Sequence, residues 1–234
     1  MSRRERLHAE MKEEIKAIAR RQMALEGNEA LSLRAIARQM AVTAPALYRY
    51  FASRDELITA LILDAFNGLA DALEVADAAS CRSHGAAAYG TRLLTVMLAY
   101  RDWALAHPTD FTLIYGTPIP GYQAPTEMTA AAAARSMTTP LAILAAAFEA
   151  GVLHIPAELQ SMPPTVVNAL EAVSTKWHAT TASQPYYIGV VGWTRCHGMI
   201  MLELFHRTQP VVGDTAALYH AELTAFLTRL GLSP

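Results

Sequence analysis

The 234-residue chain has only two cysteines, Cys81 and Cys196, in separate segments and without metal-ligand spacing. A disulfide framework is thereby excluded, and a reducing compartment, the cytoplasm, is expected. Charge is scarce as well: 17% of residues are charged against 53% hydrophobic. A disordered or heavily solvated chain would need the opposite balance. No apolar run reaches the roughly 18 residues a membrane span needs. The basic start, MSRRERLHAEMKEE, leads into no apolar segment, so neither a signal peptide nor a membrane partner is expected. Alternation of period two, the mark of strands, is missing throughout. HExxH, H-x3-H and clustered Cys/His patterns are lacking, as are a glycine-rich phosphate loop and a nucleophile–base set in context. Catalysis, a metal and a cofactor are therefore not expected.

What is present is unevenly distributed. Through residue 54 there are eleven Lys/Arg against six Asp/Glu, whereas the remainder holds eight bases and fifteen acids. A basic head on an acidic body fits a protein whose head alone meets a polyanion. A solvated helix surface accounts for the same counts, so a motif is needed to decide.

Helical periodicity covers nearly the whole chain, which predicts an all-α fold. Leu7, Met11, Ile15 and Ile18 share one face of a first helix that Gly27 can stop. Ser32 can cap a short second helix carrying Leu33, Ile36, Ala37 and Met40. Thr43 can cap a third, with Pro45 in its first turn, where a missing N–H costs nothing. Ser53-Arg54-Asp55-Glu56 reads as a capping box opening a fourth helix through about residue 70. Further helices are expected over 86–106, 110–115, 127–150, 165–182, 185–207 and 214–230. The stretch GTPIPGYQAPTEM, 116–128, reads as a long connector, mobile or functional.

SLRAIARQMAVTAPALYRYF, residues 32–51, is thus two short helices joined by a tight turn, the geometry that places a helix in the DNA major groove. Ile36, Ala37, Val42, Leu47 and Phe51 are expected to pack the unit. Thr43, Ala44, Pro45, Ala46, Tyr48 and Arg49 are left along the outward edge. Tyr48 suits a phosphate oxygen, Arg49 and Arg54 suit phosphates or bases, and the N-termini at Ser32, Thr43 and Ser53 offer backbone N–H groups. A plain three-helix core would show the same periodicity.

The run from Gly27 to Leu57, G-x4-S-x3-IA-x5-T-x3-LYRYF-x-S-R-DEL, resembles the N-terminal DNA-binding domain of TetR-family transcriptional regulators. The resemblance implies that Tyr48 and Arg54 hold the DNA backbone and that Ser32, Arg34 and Thr43 to Arg49 complete the contact surface. Ala41 stands where the family usually has a turn glycine, Tyr50 where histidine is common, and Arg54 where lysine is usual. Ala44-Pro45-Ala46 gives few donors to base edges, so sparse direct readout with a contribution from DNA shape is expected.

Tyr100-Arg-Asp-Trp-Ala-Leu-Ala-His-Pro-Thr-Asp-Phe-Thr-Leu-Ile-Tyr115 and Trp193-Thr-Arg-Cys-His197-Gly198 are similar to a TetR C-terminal subfamily carrying a W…HG motif. The resemblance implies an α-helical effector-binding and dimerisation domain over 81–234, following a helix-turn-helix domain over 1–54 and a connecting helix and linker over 55–80. It also implies a homodimer formed through about 185–207 and 214–230. Gly189, Gly192 and Gly198 would allow the close backbone approach that such an interface uses. Trp103, Phe111, Tyr115, Trp177 and Tyr186 are candidates to line an apolar effector pocket, although aromatics at helical spacing equally suit a core. Trp193 and His197, one turn apart, read as a packed core pair. The expected function is a cytoplasmic, homodimeric repressor, released from a double-stranded DNA operator by a small hydrophobic ligand. An all-α small-molecule-binding protein or enzyme with a silent head stays open, as does a nucleoid-type DNA binder without an effector. On this reading Tyr48→Phe and Arg54→Ala both weaken DNA binding and leave the melting temperature nearly unchanged.

Overall fold

The computed structural model describes residues 2–176 and 183–234, and every regular element among them is helical. In chain order these are α1 (Arg3–Glu26), α2 (Leu33–Gln39), α3 (Ala44–Leu47), α4 (Arg54–His84), α5 (Tyr89–Ala106) and α6 (Pro108–Tyr115). Then come α7 (Thr126–Glu149), α8 (Ala157–Gln160), α9 (Pro164–Lys176), α10 (Ser183–Leu204), α11 (Gln209–Val212) and α12 (Thr215–Arg229). The helix expected over 165–182 is described as far as Lys176; the rest of that range lies outside the described residues.

The chain forms two compact units. One holds the residues up to Phe66 together with His107–Ala132, and the other holds Asn67–Ala106 with Ala133–Pro234. These are not the boundaries expected from the sequence. No linker interrupts residues 55–80, which belong to the single 31-residue helix α4. The stretch 107–132 joins the N-terminal unit although about forty residues separate it from the rest of that unit in sequence.

The first unit is built on the apolar stripe of α1. Ile15, Ile18, Ala19 and Met23 are buried against Leu33, Ile36 and Ala37 of α2, Leu47 of α3, Phe51, and Leu57, Ile58 and Leu61 of α4. Leu113 of α6 and Ile119 beyond it complete the same core. Val42, expected inside, is 37% exposed, because the chain turns at Ala41 and carries it to the rim. A charged layer flanks the apolar one. Lys16 Nζ lies 2.6 Å from Asp64 and 2.7 Å from Glu13, and Arg20 reaches Asp64 at 3.2 Å and Asp110 at 2.9 Å. Burial pushes the Lys16 ammonium toward neutrality, but the two carboxylates prevail and hold its pKa above the ordinary lysine value.

The 116–128 connector is fixed to this unit. Ile119 is buried in the core, and the Tyr122 hydroxyl lies 2.9 Å from Thr59 Oγ1 on α4. A proline-rich stretch without helical periodicity gave no sign that two of its side chains would act as anchors.

In the second unit the Tyr219 hydroxyl of α12 donates to the Met97 carbonyl of α5 at 2.8 Å. Arg101 of α5 pairs with Glu203 of α10 at 2.8 Å through Nε, and Glu203 also accepts from the Thr215 hydroxyl. Two of the three glycines singled out on α10 serve packing within the chain. A Cβ on Gly189 would stand 2.5 Å from Leu141 Cδ2 and one on Gly192 3.0 Å from the Phe226 ring, whereas Gly198 faces open space. Contrary to expectation, α7 is long and apolar enough, at mean hydropathy 1.3, to meet the length and composition of a membrane span. Alanines supply much of that apolarity, and Arg135 within the helix pairs with Asp71 and Glu74 of α4. Ile143, Leu144 and Ala147 are buried in the protein.

Candidate nucleic-acid interface

Local chemistry explains how the head shapes residues 32–51. Ser32 caps α2, its hydroxyl accepting from the Ala35 N–H at 3.4 Å. The turn that follows needs a left-handed residue, and Ala41 takes it at φ 55°. This is the position where a glycine is usual, and a Cβ there carries a strain of about 1–2 kcal/mol. Thr43 then starts α3 with a hydroxyl that makes no capping bond, and Pro45 sits in the first turn. Leu47 points inward at 1% exposure while Tyr48 points outward at 43%. Thr43, Pro45 and Arg49 are exposed with it, Ala44 and Ala46 are half-buried, and Arg34 and Arg38 are exposed on α2. None of the ion pairs formed among the described residues engages Arg34, Arg38 or Arg49.

Arg54 behaves differently. Its side chain turns along the head, with Nε donating to the Leu31 carbonyl at 3.0 Å and Nη2 to the Glu29 carbonyl at 3.2 Å. The guanidinium therefore ties the start of α4 to the segment between α1 and α2, and only its remaining N–H groups face solvent. Ser53 accepts from the Glu56 N–H at 3.1 Å, and Glu56 reaches back to the Ala52 N–H at 2.7 Å. That is one residue upstream of the reciprocal bond a capping box makes.

Sequence reading passed over the start of α1. Arg3, Arg4, Leu7 and His8 share with Ala46, Arg49 and Tyr50 the lining of a broad open cleft of about 700 Å³. The available signal was Arg4, His8 and Lys12 at intervals of four, one stripe of a helix.

The four candidate pocket residues that the structure describes divide between the two units. Phe111 and Tyr115 belong to the first unit and Trp103 and Tyr186 to the second, while Trp177 lies outside the described residues. Phe111 is fully buried, Trp103 is 8% exposed, and Tyr115 meets Phe66 edge-on at 5.9 Å. A different cavity of about 320 Å³ opens in the first unit, lined by Ile62, Phe66, Ile114, Ile119, Tyr122 and Thr129 among others. In the second unit His197 stacks on Trp193 with ring centroids 4.9 Å apart and meets the Tyr100 hydroxyl through Nδ1 at 2.9 Å. This is the packed histidine expected from the spacing. Burial holds its pKa below the ordinary imidazole value.

Residues 15–61 match the model for bacterial regulatory proteins of the tetR family, and residues 93–226 match that for the tetracyclin repressor-like C-terminal domain. The HTH-type transcriptional regulators Mb1846 of Mycobacterium bovis and Rv1816 of Mycobacterium tuberculosis are 35% identical over 160 residues, 68% of this chain. That match spans 65% of the length of either relative. Among solved structures, SCO4313, provisionally described as a regulatory protein, is 36% identical. It covers 97% of this chain and 100% of its own at a TM-score of 0.78. The TetR-family regulator PfmR of Thermus thermophilus shares the fold at 19% identity, 92% and 98% coverage and a TM-score of 0.60. With one model on the head and another on more than half of its length, the chain belongs to the tetR family of bacterial regulatory proteins.

Proposed function

We propose that the protein is a cytoplasmic, homodimeric repressor that binds a pseudo-palindromic DNA operator through α2 and α3 and leaves it when a small apolar ligand binds. One observation carries this reading: Thr43, Pro45, Tyr48 and Arg49 form an exposed strip, with Arg34 and Arg38 beside it, while Ile36, Ala37, Leu47 and Phe51 of the same stretch are buried in the core. Solvent-facing arginines without a carboxylate partner and a tyrosine hydroxyl suit phosphate oxygens, which fix a protein on a duplex. Ser32, Ala44 and Ala46 bring backbone and small side chains to the same strip, and Arg54 adds its solvent-facing N–H groups.

Dimerisation is supported by the apolar surface at the end of α10 and beyond. Leu202 and Phe205 are each 52% exposed and Val211 is 82% exposed, apolar side chains that a monomer leaves wet. Gly198 faces open space nearby on α10, and Ala217, Ala221 and Ala225 are exposed on α12. Pairing there would present two heads to half-sites roughly 34 Å apart or wider. For the ligand, the cavity of about 320 Å³ in the first unit reaches the size range of small-molecule sites. Thr117, Tyr122 and Thr129 are its polar lining. A useful switch needs the ligand to favour the DNA-incompetent state by about 1–3 kcal/mol.

Gel-shift titration of the protein against its own upstream DNA and against scrambled DNA, at several salt concentrations, tests the reading. A preferred site with a steep salt dependence is expected. Equal affinity for both DNAs would replace it with a nucleoid-type binder, and no binding to either would mean a silent head.

A further inference from the structure

We infer that the first two turns of α1 form a second phosphate-binding element, in which Arg3 and Arg4 hold the DNA backbone beside the segment read by α3. The inference rests on the DNA-binding reading above but concerns residues that precede the stretch matched by the family model, 15–61.

Three observations point the same way. First, Arg3, Arg4 and His8 line one cleft together with Arg49, Ala46 and Tyr50, and no acidic side chain is among its lining residues. Four groups able to carry positive charge around one open cleft repel one another until an anion enters. Second, α1 is fixed against the recognition segment by its own side chains. The His8 ring lies 4.8 Å from the Tyr50 ring, and Lys12 Nζ sits 5.0 Å above the Phe51 ring. Third, the one acid within the first turn is turned away. The Glu5 carboxylate accepts from the Ser2 N–H at 2.7 Å and the Ser2 hydroxyl accepts from the Glu5 N–H at 3.2 Å. This box keeps the helix wound to its first turn, so Arg3 and Arg4 project from a rigid element and not from a loose arm.

The cleft is built for a chain of phosphates and not for bases. Arginine offers a forked donor to phosphate oxygens, and at the open end of a helix it meets no groove edge to read. Such contacts carry affinity but no sequence information. The extra element therefore strengthens binding to any duplex and lengthens the footprint of each head.

The test compares the full-length protein with Arg3→Ala/Arg4→Ala and with Arg6→Ala by fluorescence anisotropy on the preferred site and on scrambled DNA, across a salt series. Arg6 leaves the same two turns but does not line the cleft. Each phosphate contact contributes about 0.9 to the slope of log affinity against log salt. The double substitution is expected to reduce the slope by about 1–2, to weaken both DNAs by a similar factor, and to leave the melting temperature alone, since both side chains are exposed. Arg6→Ala is expected to keep the wild-type slope. An unchanged slope in the double variant overturns the inference, and so does an equal loss per charge in Arg6→Ala, which would mean diffuse attraction. If the wild type binds both DNAs equally and the double variant still loses slope, the operator reading fails while this one stands.

Discussion

Arg54→Ala separates two roles that the sequence merges. The guanidinium donates to the carbonyls of Leu31 and Glu29 at 3.0 and 3.2 Å from a half-buried position. A hydrogen bond involving a charged group contributes about 1.5–3 kcal/mol when buried. Water reaches this one, and Gln22 independently holds the same segment through the Ala30 carbonyl at 3.0 Å and the Ser32 N–H at 3.2 Å. Both facts reduce the expected loss to about 1–2 kcal/mol for the pair of bonds. For a chain of this size about 2–4 °C accompany each kcal/mol, so melting followed by far-ultraviolet circular dichroism should fall by about 2–8 °C. Arg54→Lys should recover only part of that, because one ammonium cannot span both carbonyls. DNA affinity should fall in Arg54→Ala as well, through the loosened α1–α2 segment and the lost charge. Tyr48→Phe is the contrasting case: the hydroxyl makes no bond within the protein among those described, so affinity should fall while melting stays fixed. Should Arg54→Ala melt like the wild type while losing affinity, the two carbonyl bonds carry no weight. The residue is then a DNA contact alone, and the expectation drawn from the sequence is restored over the structural one.

Other perturbations should behave as follows. Ala41→Gly relieves a left-handed alanine at φ 55°. Relief of about 1–2 kcal/mol, less the backbone entropy glycine loses on folding, leaves a gain of about 0.5–1 kcal/mol; a lower denaturation midpoint would contradict the strain. Asp64→Asn leaves Lys16, 8% exposed, with Glu13 alone. Breaking a fully buried pair costs about 3–5 kcal/mol, and the partial exposure of Asp64 brings that to about 1–3 kcal/mol, measured by urea denaturation. Lys16→Met combined with Asp64→Leu should recover most of the loss, and failure to do so would put the weight on geometry rather than on the stranded charge. His197 has a pKa lowered by burial, so its neutral form is the one the fold favours. Its contribution is complete above the unfolded imidazole value, about 6.5, and is lost as pH falls through that value toward the folded one. Denaturation between pH 7.5 and 5 (roughly the window this sign implies) should be less pH-dependent in His197→Asn; an identical dependence would assign the slope to other groups.

Some of this architecture was legible in residue order and some was not. Short-range signals carried the head: Ser32 as a cap, Leu47 and Tyr48 on opposite sides of one short helix, and the Ser53–Glu56 start of α4 all act within a few residues. Most helix spans agree to within a few residues for the same reason, since periodicity is local, but α4 runs on to His84, well past the expected end near residue 70. The Trp193–His197 stack was legible because one turn of helix fixes it. Long-range partnerships were not. Nothing near Arg54 announces that its acceptors lie 23 and 25 residues earlier, and nothing near Asp110 announces Arg20, 90 residues away. Pocket residues were the hardest, because a buried aromatic has the same spacing in a core as in a cavity. Phe111 is fully buried, and Ile114 and Tyr122 line the cavity of the first unit.

The placement of α6 gives the regulatory reading its physical content. Asp110 holds Arg20 of α1, the Thr112 carbonyl accepts from Asn28 at 3.4 Å, and Leu113 and Ile119 fill the core beneath α2 and α3. Arg20 also reaches Asp64 of α4, so α1, α4 and α6 share one set of charges. A half-buried ion pair contributes on the order of 1 kcal/mol, and burying one leucine or isoleucine about 1.5–3 kcal/mol. Loosening α6 would therefore change the head by an amount comparable with the roughly 1–3 kcal/mol of a typical allosteric coupling. The cavity beside Ile114 and Tyr122 lies against the same helix and strap. A ligand seated there would act on the elements that hold the recognition segment in place, and its effect on DNA affinity would be limited by how much of that shared core it could displace.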